Sequence, residues 1–263
     1  MKLYHGTSAE VARLALKEGL KPRAGLTNKN GNWKHTVESN PNCVYLTSCY
    51  AGYFAHCATK DDNSTELGVL EIDTDLLDQQ LLLPDEDFLE QVSRGQHWDN
   101  PRIQRPLAAI EKKLKGKGNL MKERTIWFRE HIWWFGGDLW QHSVNHMGTC
   151  CHYGLIPPSA ITRASIFDWE KARDIGMKLI DPSITPINYK ICSDGYKAVT
   201  RWMMGEDITL AEYMHPFRPE MYPDDSVADL KVMLEEHRGV TILKGNSNAE
   251  HTAHQGKRNR ARG

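Results

Sequence analysis

The chain has 263 residues, of which 40% are hydrophobic and 25% charged, values that suit a globular core and leave room for an appendage. A formal net charge of -1 excludes a protein that binds nucleic acid over its whole surface, so any basic contact must be local. No uncharged apolar run is long enough to cross a bilayer and Met1–His5 carries no apolar signal core, so a cytoplasmic protein without a membrane partner is expected.

Along the chain, Ser8 stands as an N-cap before a helical pattern from Ala9 to Glu18, with Val11, Leu14 and Ala15 on one face and Gly19 as the stop. The stretch from Lys21 to Pro41 is rich in Gly, Asn and Lys, has no period and reads as a lid-like loop. Cys43 to Thr47 reads as a short buried strand, Tyr50 to Thr59 as a helix, and Gly68 to Asp73 as a half-buried strand that alternates around Leu70 and Ile72. Residues 84 to 120 are charged, with Lys112, Lys113, Lys115 and Lys117 close together as a solvated face or a polyanion contact.

Trp127, Trp133, Trp134 and Trp140 mark an aromatic element that serves as core or domain seam, or else as a base-stacking surface. Cys150 to Ile156 leads into the Pro157-Pro158 corner, and Ala164, Ile166 and Trp169 suggest a closing strand. We expect a core over residues 1–168, a mainly helical extension over 169–244 divided by prolines, and a disordered basic tail over 245–263. Six cysteines, Cys43, Cys49, Cys57, Cys150, Cys151 and Cys192, without marks of secretion read as reduced thiols.

Two segments carry chemistry together. Leu3-Tyr4-His5-Gly6-Thr7 and Val44-Tyr45-Leu46-Thr47-Ser48 each end a strand before a helix, and the pair resembles the first two motifs of the H-Y-E class of ADP-ribosyltransferases. That class includes the poly(ADP-ribose) polymerases and, more distantly, the DarT toxins and RNA 2′-phosphotransferases. The resemblance spans roughly residues 3 to 167. It implies an α+β fold with a split antiparallel β-sheet core: two short sheets across a cleft, with His5 and Tyr45 facing each other inside it.

The resemblance further implies NAD as co-substrate. His5 would bond the adenosine ribose, Gly6 and Thr7 the nicotinamide end, and Tyr45 would stack on the nicotinamide ring. Thr47 or Ser48 would offer a hydroxyl to the nicotinamide ribose, and Tyr53 would close the pocket. Breaking the glycosidic bond of NAD develops positive charge at the anomeric carbon, so few side chains beyond a stabilising carboxylate are required.

The third motif of the class is a glutamate on a late strand, yet no acidic residue occurs between Asp138 and Asp168. His152 or His146 as a neutral acceptor and base, or Glu123 or Glu130 folding in from the aromatic element, are the candidate replacements. The remaining reading is a site that binds NAD without turning it over. With Tyr45, the catalytic candidates are therefore His152, His146 and Glu123.

His142, His146 and Cys150 would suit zinc if they lay on one helix, but Gly148-Thr149 interrupts such a helix. The leading expectation is transfer of ADP-ribose to a macromolecule, single-stranded RNA or DNA slightly ahead of protein, in the manner of a bacterial or phage-conflict toxin with a possible antitoxin or inhibitor protein. An RNA 2′-phosphotransferase and a non-catalytic NAD- or nucleic-acid-binding module are the alternatives.

Overall fold

The computed structural model describes residues 1–22, 39–60, 65–94, 137–168, 197–209 and 239–245, with single positions among 101–131 and 212–237. Lys113, Lys115, Lys117, Trp133, Trp134, Cys192, the basic tail beyond Gly245 and most of the Lys21–Pro41 segment lie outside the described residues.

The chain opens with β1 (Lys2–Ser8) and α1 (Ala9–Glu18). The Ser8 hydroxyl accepts from the Val11 amide, and Gly19 ends the helix at φ 85°, a conformation that costs glycine little. Next come β2 (Cys43–Thr47), α2 (Ala51–Lys60) and β3 (Glu66–Asp73). A short β4 (Leu82–Pro84) leads into α3 (Glu86–Ser93). After the aromatic region, α4 (Leu139–Met147) precedes β5 (Thr149–Tyr153) and β6 (Ile161–Asp168). A helical stretch at 197–203 and the strand β7 (Val240–Lys244) complete the described elements.

The class is α+β, with one antiparallel seven-stranded sheet in the order β4-β5-β2-β1-β3-β6-β7. The expectation of two separate sheets is corrected to one sheet with a weak joint. β1 pairs with β3 at seven positions and β2 with β5 at five, whereas β1 meets β2 only at Tyr4↔Thr47. Either side of that joint the ladders are complete.

One face of the sheet packs Leu3, Val44, Leu46, Leu70, Ile72 and Cys150 with α1 and with Trp140 and Val144 of α4. The opposite face carries two clusters. Tyr4, Leu67, Val69 and Phe167 pack with Ala51 and Ala55 of α2 and with Val199, Trp202 and Met203. Cys43, Leu83 and Cys151 pack with Phe88, Leu89 and Val92 of α3 and with Trp127 and Leu139. Trp127 and Trp140 are thus core residues, since burying an indole removes a large apolar area from water. Cys43, Cys49, Cys57, Cys150 and Cys151 are free thiols.

Two features join the late part of the chain to the sheet. β3 is buried on both faces, because the 197–203 helical stretch covers the side that carries Val69 and Glu71. In addition, β7 falls inside the stretch expected to be a helical extension, and it pairs with β6 from Phe167↔Val240 to Arg163↔Lys244. The Thr200 hydroxyl donates to the Cys49 carbonyl at 2.9 Å, tying the late helical stretch to the turn that follows β2.

Glu71 anchors the same side. Its buried carboxylate accepts from Arg163 Nη2 at 2.6 Å, from Thr162 at 2.7 Å and pairs with Lys2 at 3.2 Å, while Arg163 also reaches the Met204 carbonyl and Glu206. Burial pushes this carboxyl up, but the bonds from Arg163, Thr162 and Lys2 outweigh it and hold it below the ordinary range. A depressed carboxyl stabilises the fold above its unfolded value and loses that contribution as pH falls through its folded value. Arg163→Met, which strands a buried charge, should therefore lower the unfolding free energy by about 3 kcal/mol at pH 7 in urea titrations, with the deficit shrinking in strong acid as Glu71 is protonated.

A candidate site at the seam between two strands

The seam between β1 and β2 holds the two motif segments. Continuing the register past Tyr4↔Thr47 would set Gly6 opposite Tyr45, but no such pair forms. Instead the His5 side chain reaches across, and its Nδ1 lies 2.8 Å from the Tyr45 carbonyl oxygen. A carbonyl only accepts, so Nδ1 carries the proton and Nε2 presents a lone pair. Burial holds the His5 pKa below its ordinary value, with the bond to the Tyr45 carbonyl working against it, so the ring is neutral near pH 7.

Backbone direction follows from the same contact. Alternate residues of an antiparallel strand point their N–H and C=O groups to opposite sides. The Tyr45 carbonyl points at β1, so Thr47 does too, and its partner Tyr4, followed by Gly6, points back at β2. Gly6 therefore lines the opened seam with main-chain groups. It also has no room for a side chain: a Cβ there would lie 2.0 Å from the Ala51 carbonyl oxygen and 2.5 Å from the Ala55 nitrogen. Thr7 is buried in β1 opposite Gly68.

His5 and Tyr45 adjoin one another, though not face to face as expected. Strand alternation sends His5 toward the side of Leu3 and Leu70, and Tyr45 toward the side of Cys151 and Leu83. Ring-to-backbone contact, not ring-to-ring contact, joins them.

The Tyr45 phenol has a partner that the motif pattern did not indicate. Its hydroxyl donates to Glu86 Oε1 at 2.6 Å, and the Asn40 amide donates to the Tyr45 oxygen at 2.7 Å and to Glu86 Oε1 at 2.8 Å. Burial, Glu86 and the thiols of Cys151 and Cys43 push the Tyr45 hydroxyl far above its ordinary value, so it stays protonated. Glu86 is itself raised by burial, against the pull of its bonds from Tyr45 and Asn40.

Asp85, the residue before Glu86, is a second buried carboxyl. It caps α3 by accepting from the Asp87 amide at 2.7 Å, its own amide donates to Ser143 at 3.2 Å, and the Thr149 hydroxyl bonds its carboxylate. Burial and the nearby charges of Asp87 and Glu86 push Asp85 up to about 7. Thr149 pairs with Thr47, the residue on the last rung of the seam, so Asp85, Thr149 and Thr47 run in a row across the sheet to β1. Sequence reading missed both carboxylates. The available signal was a short apolar run, Leu81-Leu82-Leu83-Pro84, followed by a capping aspartate.

The turns above the seam are locked together by Gly148. It caps α4 in the left-handed region at φ 74°, and its carbonyl accepts from the Ser48 amide at 2.8 Å and the Thr47 hydroxyl at 2.7 Å. Thr47 Oγ1 also accepts from the Cys49 and Tyr50 amides. The Thr47 hydroxyl thus fastens the turn into α2, while the Ser48 hydroxyl lies 3.5 Å from the Gly148 carbonyl and bonds the Cys49 thiol.

The other expected site residues lie elsewhere. His152, a candidate base, sits between Val44 and Leu82 in the sheet, is 2% exposed, and belongs to the apolar face. Burial lowers its pKa, against a bond to the Gly154 backbone, so it is a neutral core histidine. His146 stands on the exposed side of α4 with its ring against His142, while Ser143 and Val144 face inward. α4 stops at Met147, so Cys150 lies buried in a strand and shares no helical face with the two histidines. Among the described residues no group of three His, Cys, Asp or Glu side chains is arranged to hold a metal.

Tyr53 packs on the cluster of Tyr4, Leu67 and Phe167, apart from the one that holds Tyr45. Glu123 is half-buried and Glu130 exposed in the helical region that also carries Trp127, and the carboxylate on the Tyr45 phenol is Glu86 from α3. No helix among the described residues is long and apolar enough to cross a membrane. No protein-family model matches the chain, and no curated protein has significant sequence similarity to it.

A carboxyl raised on folding destabilises the native state above its folded pKa, and that cost disappears as pH falls below the unfolded value. Asp85→Asn keeps an α3 cap and removes the charge. It should raise the melting temperature by roughly 3–6 °C at pH 8 and leave it unchanged near pH 4, as followed by circular dichroism.

Proposed function

We propose that the chain binds NAD across the opened seam between β1 and β2 and transfers ADP-ribose to a macromolecular acceptor. The observation that carries this reading is the bond from His5 Nδ1 to the Tyr45 carbonyl. It brings the two motif segments together at the one place where the sheet is joined by a single rung, and it leaves His5 Nε2 as an acceptor suited to a ribose hydroxyl.

On this reading Gly6 offers main-chain groups to the nicotinamide amide, Tyr45 bounds the ring, and Ser48 supplies the hydroxyl at the nicotinamide ribose. Asp85, rather than a histidine, takes the place of the carboxylate missing from β5. The C1′–N bond of NAD breaks with its electron pair leaving on nicotinamide, and the acceptor nucleophile forms the new bond to C1′. The nucleophile's proton passes to the Asp85 carboxylate, whose negative charge also stabilises the cationic transition state. A carboxyl titrating near neutrality is matched to such a transfer, and turnover should rise with pH through about 7.

Single-stranded nucleic acid is the preferred acceptor over protein, on the basic run that begins at the exposed Lys112 and the basic tail. The test is nicotinamide release from NAD with and without single-stranded RNA, DNA or cell lysate. The wild type should release nicotinamide only with an acceptor. His5→Ala should lose affinity for NAD, and Asp85→Asn should still bind it with turnover reduced at least about 100-fold. NAD that raises the melting temperature of the wild type with no release under any condition would make the protein a binding module and remove the transferase reading.

A further inference from the structure

We infer that Glu86 is a positioning residue that fixes the Tyr45 ring at the seam through the phenol oxygen, an inference that rests on the seam being the NAD site. Three groups close a triangle there: Tyr45 Oη to Glu86 Oε1 at 2.6 Å, the Asn40 amide to the same carboxylate oxygen at 2.8 Å, and the Asn40 amide to Tyr45 Oη at 2.7 Å. The first distance is that of a charge-assisted O–H···O⁻ bond. Glu86 is 5% exposed and is the first residue of α3, where the unpaired amides of the helix start favour a negative charge.

Tyr45 is the middle residue of β2 and packs against the cluster of Cys43, Leu83 and Cys151, so what remains to be fixed is the far end of its ring. Here the main chain of Tyr45 is pinned by His5 and its phenol by Glu86, so both ends of the side chain are set by residues from other elements. A ring fixed in this way costs a stacked ligand little ordering on binding. Glu86 touches Tyr45 and not the reacting atoms, so its contribution is to affinity rather than to bond breaking.

The experiment uses the full chain with 3-fluorotyrosine in place of tyrosine, the Tyr45 resonance being assigned by its absence in Tyr45→Phe. In the free protein, Glu86→Ala should shift and broaden that fluorine signal, and Glu86→Gln, which still accepts a hydrogen bond, should leave it sharp. With NAD and acceptor, Tyr45→Phe and Glu86→Ala should each raise the KM for NAD about tenfold, with kcat within about threefold of wild type. Their combination should be no worse than either alone, because both remove the same bond.

Additive losses, a kcat that falls at constant KM, or a Tyr45 signal indifferent to Glu86→Ala would each overturn the inference. A wild type that neither binds nor cleaves NAD, while its Tyr45 signal still responds to Glu86→Ala, would sink the NAD reading and leave the clamp standing.

Discussion

A single hydrogen bond, from the His5 imidazole to the Tyr45 carbonyl, takes the place of the ladder pairs that β1 and β2 do not make. In a regular sheet that carbonyl would accept from a main-chain amide of the neighbouring strand. A buried carbonyl without a partner is costly, so opening the sheet here requires a side-chain donor, and His5 provides it while keeping its second nitrogen available. The main-chain lining of Gly6 and the placement of Tyr45 follow from that substitution, and burial keeps His5 neutral against the pull of the bond.

The opened seam is stable because its surroundings are closed. Above it, Gly148 links the turn into α2 to the turn into β5 through bonds that use its carbonyl twice. Beneath Gly6, α2 approaches to a distance that only a residue without Cβ allows. On the flank, Asp85 and Glu86 stand side by side, both raised chiefly by burial, Asp85 also by the charges of Asp87 and Glu86 and Glu86 also by that of Asp87.

Much of the first half of the fold was legible in local signals. Ser8 and Gly19 bound α1 by capping and by glycine's tolerance of positive φ, and the apolar run from Cys43 to Thr47 is β2 as read. The adjacency of His5 and Tyr45 was also legible, from two strand-end motifs. Contacts that depend on register were not. Glu86 reaches Tyr45 only because β4 pairs with β5 and β5 with β2, an arrangement that nothing in the charged stretch after Pro84 announces. His152 looked available for chemistry, yet a shift of one residue along a strand moves a side chain to the other face, and it lies beside Val44 instead. β7 escaped because its side chains are half-exposed and lack a strict alternation.

The place of β7 bears on how the molecule assembles. It joins β6 from a part of the chain that is nearer to β6 in sequence than β3 is, so its closure is the less costly of the two pairings of that strand. The packing of Trp202 against Phe167 and the grip of Arg163 on Met204 and Glu206 fasten the same strand from the 197–209 segment. The C-terminal strand therefore covers what would otherwise be the open edge of the sheet along β6, the kind of edge that pairs with other chains.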